Sequence, residues 1–283
     1  MFKSLSAVLL STLLLTGQAT AGQVIVVDAF GGPGYDYTSI QQAINSAVDG
    51  DTLLIRSSTY GGFVIDGKGL EIISDGAVNT QINGTMRVDN LGVGQRVLFH
   101  RISGETLTNC AGSVWIEDGE FSGPLVLAQV GSAGIRVDNS SAVSMSRVTL
   151  RGGRGASMDA GPGLRATNSE VSLYDTIAIG GDGEQGPLGS PFDAGQGVLQ
   201  NGGHLRVSGG SMTGGPGANS GGIFGCSDAG DGGTGLVLQN GAVIELFDVA
   251  LVGGAAGSAP APCLSGNPGS PSDTAGGTLV TLP

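Results

Sequence analysis

Apolar residues recur along this chain in a pattern that is copied many times. Each copy has four apolar positions, of which the first and second are separated by one residue, as are the third and fourth, and a Gly-Gly pair closes it. Two clear copies are Val143, Met145, Val148, Leu150 with Gly152-Gly153, and Ile244, Leu246, Val249, Leu251 with Gly253-Gly254. Repeats of this kind are typical of a solenoid, in which each copy buries its apolar side only against its neighbours.

The first apolar position of each copy can be followed through most of the chain. These positions are Leu53, Leu70, Val97, Val114, Val143, Val171, Leu205 and Ile244. Alternating apolar residues with short intervals predict an all-β fold, a single-stranded parallel β-helix with one coil per copy. The copy at Val171 is out of phase, because Ile177 and Ile179 are apolar where Thr176 and Ala178 should point inward. A one-residue bulge there is predicted to restore the phase.

The N-terminal segment differs from the repeats. Residues 1–21 combine Lys3, an apolar run over residues 7–15 and the small residues Ala19-Thr20-Ala21, which together predict a signal peptide. We therefore expect a protein that is secreted or held in the cell envelope, of bacterial origin, with no membrane span. The rest, 22–283, is predicted to be one β-helix domain with a cap over 23–52, coils over 53–257, and a loop and partial coil over 258–283.

A short amphipathic helix is predicted ahead of the coils. Ile40, Ala43, Ile44 and Ala47 lie on one helical face, and Gly50 ends the helix. The run from Ile40-Gln41 to Gly50-Asp51-Thr52-Leu53-x-Ile55, followed by Thr59-Tyr60, resembles the N-terminal cap of pectate-lyase-like (pectin-lyase-fold) proteins. The resemblance implies a right-handed β-helix. It implies no single activity, since lyases, hydrolases, epimerases, phage tailspikes and non-catalytic surface proteins share this cap.

Glycine and acidic residues dominate the composition. The chain has 54 Gly, 24 Asp plus Glu against 12 Lys plus Arg, and a net charge of −12. This balance argues against a nucleic-acid partner. Insertions over 156–162, 184–196, 218–234 and 258–275 leave one corner after Gly-Gly. The Gly/Asp runs at 180–183 and 228–233 are interpreted as flexible turns.

Two cysteines lie in insertions of successive coils. Because stacking brings the bases of these insertions together, we predict a disulfide between Cys226 and Cys263. Cys110 is interpreted as a buried small apolar residue.

Polar residues form two columns at the bends. The first-bend column is Asn90, Asn109, Asn139, Asn168, Asn201 and Asn240, which predicts an Asn ladder. The second-bend column, four residues after each start, is Arg101, Asp118, Arg147, Asp175, Gly209 and Asp248. Its alternating charges predict a surface ion-pair ladder.

The outward positions beside the second bend carry the candidate chemistry. They include His100, Trp115, Glu117, Ser144, Ser146, Tyr174 and Phe247. Aromatic rings stack on sugars, Arg binds a uronate carboxylate bidentately, and clustered carboxylates can hold Ca²⁺. His100, Arg101, Trp115 and Tyr174 are thus candidate substrate-binding residues. Arg147, Asp118, Asp175 and Glu117 are the catalytic candidates if the protein is an enzyme.

The segment Trp115-Ile116-Glu117-Asp118 is similar to the Trp-Ile-Asp-His segment of pectate lyases, with Glu117 at the Asp position and Asp118 at the His position. Polygalacturonase motifs are absent, as are zinc-type Cys/His clusters, and no metal ligands are assigned. His204 is isolated in the sequence and is predicted to be a solvated surface residue.

Two hypotheses follow. The preferred one is a secreted, non-catalytic β-helix that presents a flat face and Gly-rich loops to a polysaccharide or cell-surface glycan, since motifs are missing and His and Lys are scarce. The alternative is a polysaccharide lyase or related enzyme acting on a uronate-containing polysaccharide. The final residues look like the start of another coil with no capping helix, which predicts end-to-end self-association.

Overall fold

The computed structural model describes residues 22–56, 58–76, 80–103, 106–108, 110–123, 132–155, 159–185, 191–220 and 228–282. The predicted signal peptide lies outside this part of the chain. The described residues form twenty strands and one helix. In chain order they are β1 Val24–Val27, α1 Ile40–Ser46, β2 Thr52–Ile55, β3 Thr59–Asp66, β4 Glu71–Ser74, β5 Thr80–Asp89, β6 Arg96–His100, β7 Ile102–Ser103, β8 Thr106–Thr108, β9 Ser113–Glu117, β10 Glu120–Ser122, β11 Ile135–Asp138, β12 Val143–Ser146, β13 Thr149–Arg151, β14 Leu164–Ile179, β15 Val198–Thr213, β16 Leu236–Gln239, β17 Ala242–Phe247, β18 Ala250–Val252, β19 Ser272–Asp273 and β20 Gly277–Leu282.

The strands pair in parallel with strands of the neighbouring coils, which confirms a parallel β-helix. Val97 pairs with Val114, and Val114 pairs with Val143. The column then continues through Val171, Leu205, Ile244 and Leu279. These residues are buried except Leu279, which is partly buried, so the apolar positions line one continuous core. The partial coil predicted at the C-terminal end is present as β20.

The first predicted step of the register was wrong. Leu53 pairs with Ile72 instead of standing over Leu70, so the first coil is displaced by two residues. A displacement of two keeps every side chain on its own face, because side chains alternate along a strand with a period of two. Both Leu53 and Leu70 are therefore buried, and apolar pattern alone did not distinguish the two registers.

The predicted bulge after Val171 was also wrong. Strand β14 pairs with β15 without a register shift, and Thr176 and Ala178 are the residues that point inward. The Thr176 hydroxyl is accommodated because its Oγ1 lies 3.1 Å from the carbonyl oxygen of Tyr174, to which it donates. Ile177 remains 42% exposed on the outside.

The first-bend Asn residues adopt left-handed backbone angles, with one exception. Asn90, Asn139, Asn168 and Asn240 have φ between 47° and 54°. In the coil after Asn168 the left-handed position is occupied by Gly202, with φ of 68°, instead of Asn201. Asn109 lies outside the described residues. An amide-to-amide bond follows the column from Asn240 Nδ2 to Asn201 Oδ1 at 2.6 Å, and Asn139 also has an interaction partner. The column is thus mainly a set of left-handed turns.

Helix α1 lies against the first coil. It buries Ile40, Ala43 and Ile44, and Ser39 at its N-cap makes no side-chain capping bond. At the other end Lys68 Nζ donates to the carbonyl oxygens of Ile44 and Ala47, each at 2.8 Å. A cation placed on the last carbonyls of a helix satisfies acceptors that the helix leaves open.

The insertions after Gly-Gly form a second ordered layer. Outgoing segments 152–155, 180–185, 214–220 and 253–258 alternate with returning segments 159–163, 191–197, 228–235 and 264–271, and we call this the glycine layer. Seven backbone bonds of 2.8–2.9 Å run through it in sequence. They join Gly153, Gly161, Gly181, Gly195, Gly215, Gly233, Gly254 and Gly269, each amide donating to the preceding carbonyl. The interpretation of 180–183 and 228–233 as flexible turns was therefore wrong.

The glycine layer has no room for side chains between its segments. A Cβ on Gly195, Gly233 or Gly254 would lie within 1.9 Å of a neighbouring carbonyl oxygen. The Gly content of the chain is thus explained by close approach of backbones, for which Gly is the residue of choice.

Candidate functional site

The candidate residues lie on one exposed face of the coils, which we call the outer face. It is built from the outward positions of strands β6, β9, β12, β14, β15, β17 and β20. One row of this face, the aromatic row, contains His100, Glu117, Ser146, Tyr174, Ser208, Phe247 and Leu282. The adjacent row contains Leu98, Trp115, Ser144, Ser172, Arg206, Glu245 and Val280. Neighbours within a row are one strand spacing apart, about 4.8 Å.

The second-bend column borders the aromatic row, and every residue in it has a left-handed backbone. The φ angles are 57° at Arg101, 53° at Asp118, 53° at Arg147, 46° at Asp175, 74° at Gly209 and 51° at Asp248. Asp and Gly enter this region readily, whereas a long side chain such as Arg does so at a cost. The two arginines are therefore held in a backbone conformation that does not favour them.

Arg147 and Asp118 form a bidentate ion pair across neighbouring coils. Nε of Arg147 lies 2.6 Å from Oδ1 of Asp118, and Nη2 lies 3.2 Å from Oδ2. Nη1 of Arg101 instead donates to the carbonyl oxygen of Gly76 at 3.2 Å. Among the described residues, Asp175 and Asp248 make no ion pair. Within the described ranges the predicted ladder of alternating charges is therefore reduced to one ion pair, Arg147 with Asp118.

This ion pair changes the protonation chemistry of both partners. The hydrogen bond from Arg147 holds the pKa of Asp118 below its ordinary value of 3.8, and the charge of Arg147 acts in the same direction. The hydrogen bond to Asp118 in turn raises the pKa of Arg147. Asp118 thus stays ionised and Arg147 stays cationic over the physiological range.

His100 completes a cluster with these residues. Its Nδ1 lies 3.7 Å from Oδ2 of Asp118 and 3.8 Å from Oε2 of Glu117. The structure therefore brings together His100, Glu117, Asp118 and Arg147. Trp115 lies on the same strand as Glu117 in the adjacent row, with 47% of its surface exposed.

Tyr174 is separate from this cluster, whereas Asp175 follows Arg147 in the second-bend column and its charge helps Asp118 to raise the pKa of Arg147. In the aromatic row Ser146 stands between Glu117 and Tyr174, so Tyr174 is two coils away from Glu117. Tyr174 instead lines a groove of ≈ 200 Å³ with Arg206, Ser208, Glu245, Phe247 and Leu282. The candidate residues therefore divide between two places on the outer face.

A second charged cluster borders the groove, and sequence reasoning missed it. Only 18% of the His204 side chain is exposed, and its two ring nitrogens lie 3.8 Å from Oε2 of Glu170 and 3.4 Å from Oε1 of Glu245. Arg206 Nε lies 3.1 Å from Oε2 of Glu245. The prediction of a solvated His204 was wrong. His204 comes one residue before Leu205, the first apolar position of its coil, and it pairs with Glu170 of the preceding coil. This spacing was the sequence signal that would have placed His204 on this face.

The possible Ca²⁺ and the disulfide both stay predictions. The described residues contain no group of three or more His, Cys, Asp or Glu side chains arranged to hold a metal ion. Cys226 lies outside the described residues, and its bridge to Cys263 stays a prediction. Cys110 is buried, with its Sγ 3.5 Å from the carbonyl oxygen of Val88.

No helix in the described ranges is long and apolar enough to cross a membrane.

Comparison with known proteins identifies no family. No protein-family profile matches the chain, and no curated protein matches it. Among solved structures, Escherichia coli ybhc is similar at 11% identity over 86% of this chain and 75% of its own, with a TM-score of 0.35. ORF18 of Geobacillus virus E2 is similar at 12% identity over 84% of this chain and 61% of its own, with a TM-score of 0.30. Identities and scores this low carry no functional argument.

Proposed function

We propose that this protein is a secreted, non-catalytic β-helix protein of the bacterial envelope or medium that binds a glycan on its outer face. A kinship with pectate-lyase-like proteins is part of the same proposal, as is end-to-end self-association through the last coil. The protein's role is then to hold a polysaccharide or a cell-surface glycan.

The observation that carries the proposal is the set of exposed rings on this face. Trp115, Tyr174 and Phe247 expose 47%, 48% and 47% of their surfaces, although large apolar side chains gain from burial. All three stand on a flat array of parallel strands, where a chain of sugar rings can lie across several coils. Aromatic faces with polar groups nearby are typical of carbohydrate recognition, since the apolar face of a sugar stacks on a ring and its hydroxyls find donors and acceptors.

The cluster around Arg147 supports binding more than catalysis. A lyase needs a base, and Asp118 raises the pKa of Arg147, so even less of this side chain is in the neutral form that could accept a proton. Asp118 already accepts from Nε and Nη2 of Arg147, and the Ser146 hydroxyl accepts from Nη1, so few of the Arg147 N–H donors remain for a uronate carboxylate. The lyase hypothesis therefore has less support than the binding hypothesis.

The test of the proposal is a binding screen with one matched variant pair. The mature protein is screened by affinity electrophoresis against neutral, uronate and amino-sugar polysaccharides. We expect retardation by at least one polysaccharide, and we expect Trp115→Ala to reduce it about tenfold in affinity. Phe30→Ala is the control, since Phe30 is 87% exposed in the N-terminal cap, away from the outer face. Equal losses in both variants, or no retardation by any glycan, would refute the proposal.

The enzyme alternative is tested in the same samples. Unsaturated products are followed by ultraviolet absorbance and new reducing ends by a colorimetric assay, with Ca²⁺ added. Activity that disappears in Arg147→Ala or Asp118→Ala would establish the lyase hypothesis in place of ours.

A further inference from the structure

Tyr174 and Phe247 form the two walls of a slot whose floor is Ser208. The three residues are consecutive members of the aromatic row. The walls are therefore two strand spacings apart, about 9.5 Å. Within the described part of the chain the paired rings are those of Phe63 and Phe99, so the rings of Tyr174 and Phe247 leave the space above Ser208 open. A small residue between two large ones thus creates a gap the width of one inserted ring or ammonium group.

The mouth of this slot carries two carboxylates. Asp175 follows Tyr174 at the second bend, and Asp248 follows Phe247, while Gly209 stands between them without a side chain. A Cβ added to Gly209 would lie only 2.3 Å from Asp175 Oδ1, so this carboxylate leans over the coil that carries Ser208. As far as the described residues show, neither carboxylate has an ion-pair or hydrogen-bond partner.

The cations near the slot are already neutralised. Arg206 Nε is held 3.1 Å from Glu245 Oε2, and Arg147, one coil before Tyr174, is paired with Asp118. Two carboxylates therefore remain without an ion-pair partner beside two aromatic faces, although the charge of Asp175 helps Asp118 to raise the pKa of Arg147. This combination favours an organic cation, because ring faces attract positive charge and carboxylates complete the pairing.

We propose that the slot binds the protonated amine of an amino-sugar unit in a polysaccharide. The proposal rests on the glycan-binding function above and deepens it by naming the ligand class. The apolar face of the sugar stacks on Tyr174 or Phe247, the ammonium lies between Asp175 and Asp248, and the Ser208 hydroxyl reaches a ring hydroxyl. A uronate polysaccharide is disfavoured, since its carboxylates would meet the same two negative charges.

The experiment compares an amino-sugar oligomer with its N-acetylated form, which differs only at the amine, and with an acidic oligomer that lacks the amine. Glucosamine oligomers, their N-acetylated counterparts and galacturonate oligomers of equal length are titrated calorimetrically into the mature protein at about pH 6. We expect the glucosamine oligomers to bind most tightly, with an affinity that falls as salt is added. Tyr174→Ala and Phe247→Ala should each weaken this binding about tenfold. The double variant Asp175→Asn, Asp248→Asn should abolish the preference over the N-acetylated oligomers.

Controls separate this proposal from the function on which it rests. Phe30→Ala should bind like the parent, and circular dichroism melting shows that the slot variants remain folded. The inference is overturned if N-acetylated or galacturonate oligomers bind as tightly as glucosamine oligomers, or if the slot variants bind unchanged. If the N-acetylated or galacturonate oligomers bind as tightly and Trp115→Ala weakens their binding, the slot proposal fails but the glycan-binding function stands. No binding by any oligomer would overturn both. Slot variants that change the sedimentation of the protein but not oligomer binding would identify a second copy as the occupant.

Discussion

Gly233→Ala tests the glycine layer most directly. The new Cβ would lie 1.9 Å from the carbonyl oxygen of Gly195, whereas ordinary van der Waals contact begins at 3.4 Å. The obstacle is backbone, so the returning segment must open by about 1.5 Å to make room. The amide of Gly233 donates to Gly215 at 2.9 Å, and its carbonyl accepts from Gly254 at 2.8 Å. Neither bond survives an opening of this size.

The expected loss follows from these contacts. Two backbone hydrogen bonds are worth about 1 kcal/mol each, and displaced neighbours add a comparable amount, so we expect a loss of about 3 kcal/mol in the free energy of unfolding. For a chain of this size that corresponds to a fall in Tm of about 10 °C. The layer should loosen before the coils do, since its segments contribute few residues to the apolar core.

The assay combines thermal unfolding with hydrogen exchange of the amides of residue 233 and Gly254, which donate the two bonds expected to break. Gly61→Ala is the matched control, because a Cβ on Gly61 meets nothing within 4 Å and its φ is ordinary for an L-residue. This control should change stability by less than about 1 kcal/mol. If Gly233→Ala unfolds like Gly61→Ala and its amides exchange no faster, the close-packed layer does not exist as described.

Three further predictions concern a charge pair, a helix end and a disulfide. Because Arg147 lowers the pKa of Asp118, the pair stabilises the fold above the ordinary Asp pKa of 3.8, and this stabilisation is lost as pH falls through the lower folded pKa. An NMR titration should show the Asp118 pKa rising in Arg147→Gln, and an unchanged value would contradict the pairing. Lys68→Met should cost about 1 kcal/mol in chemical denaturation through the lost helix cap, and no loss would mean that water replaces it. Mass mapping under non-reducing conditions should recover Cys226 and Cys263 in one cross-linked peptide pair, and two free thiols would disprove the bridge.

The coils could be predicted from sequence because their signal is local and repeated. Alternating apolar residues from Val97 to Ile244 named the inward column correctly, and the second bend was located by its Arg and Asp residues. The errors arose where two solutions bury the same residues or where a polar group is satisfied locally. Leu53 was misplaced by two residues, and Thr176 was moved out of a core position in which its hydroxyl bonds to its own backbone.

The candidate site was harder to predict than the fold. The prediction grouped Tyr174 with Trp115 and Arg147 because all three belong to one face, although the starts at Val114, Val143 and Val171 already place Tyr174 two coils after Trp115. The prediction also treated neighbouring charges in one column as paired. A long side chain can instead bond outside the column, as Arg101 does when it donates to the carbonyl oxygen of Gly76. The glycine layer was missed for a different reason. Its order comes from backbone hydrogen bonds between segments that are remote in sequence. A Gly-rich composition allows such close packing but does not indicate which segments bond to each other.

The glycine layer also limits how a gene for this protein can lengthen. An outgoing segment is bonded both to its own returning segment and to the one from the coil before, as Gly181 is to Gly161 and Gly195 is to Gly181. Codons added inside such a segment would shift its glycines away from both of the returning segments to which they are bonded. Codons added beyond the bonded glycines, where outgoing chain becomes returning chain, disturb neither. Divergent copies of this chain should accordingly vary in size at those far points and keep their glycine intervals constant.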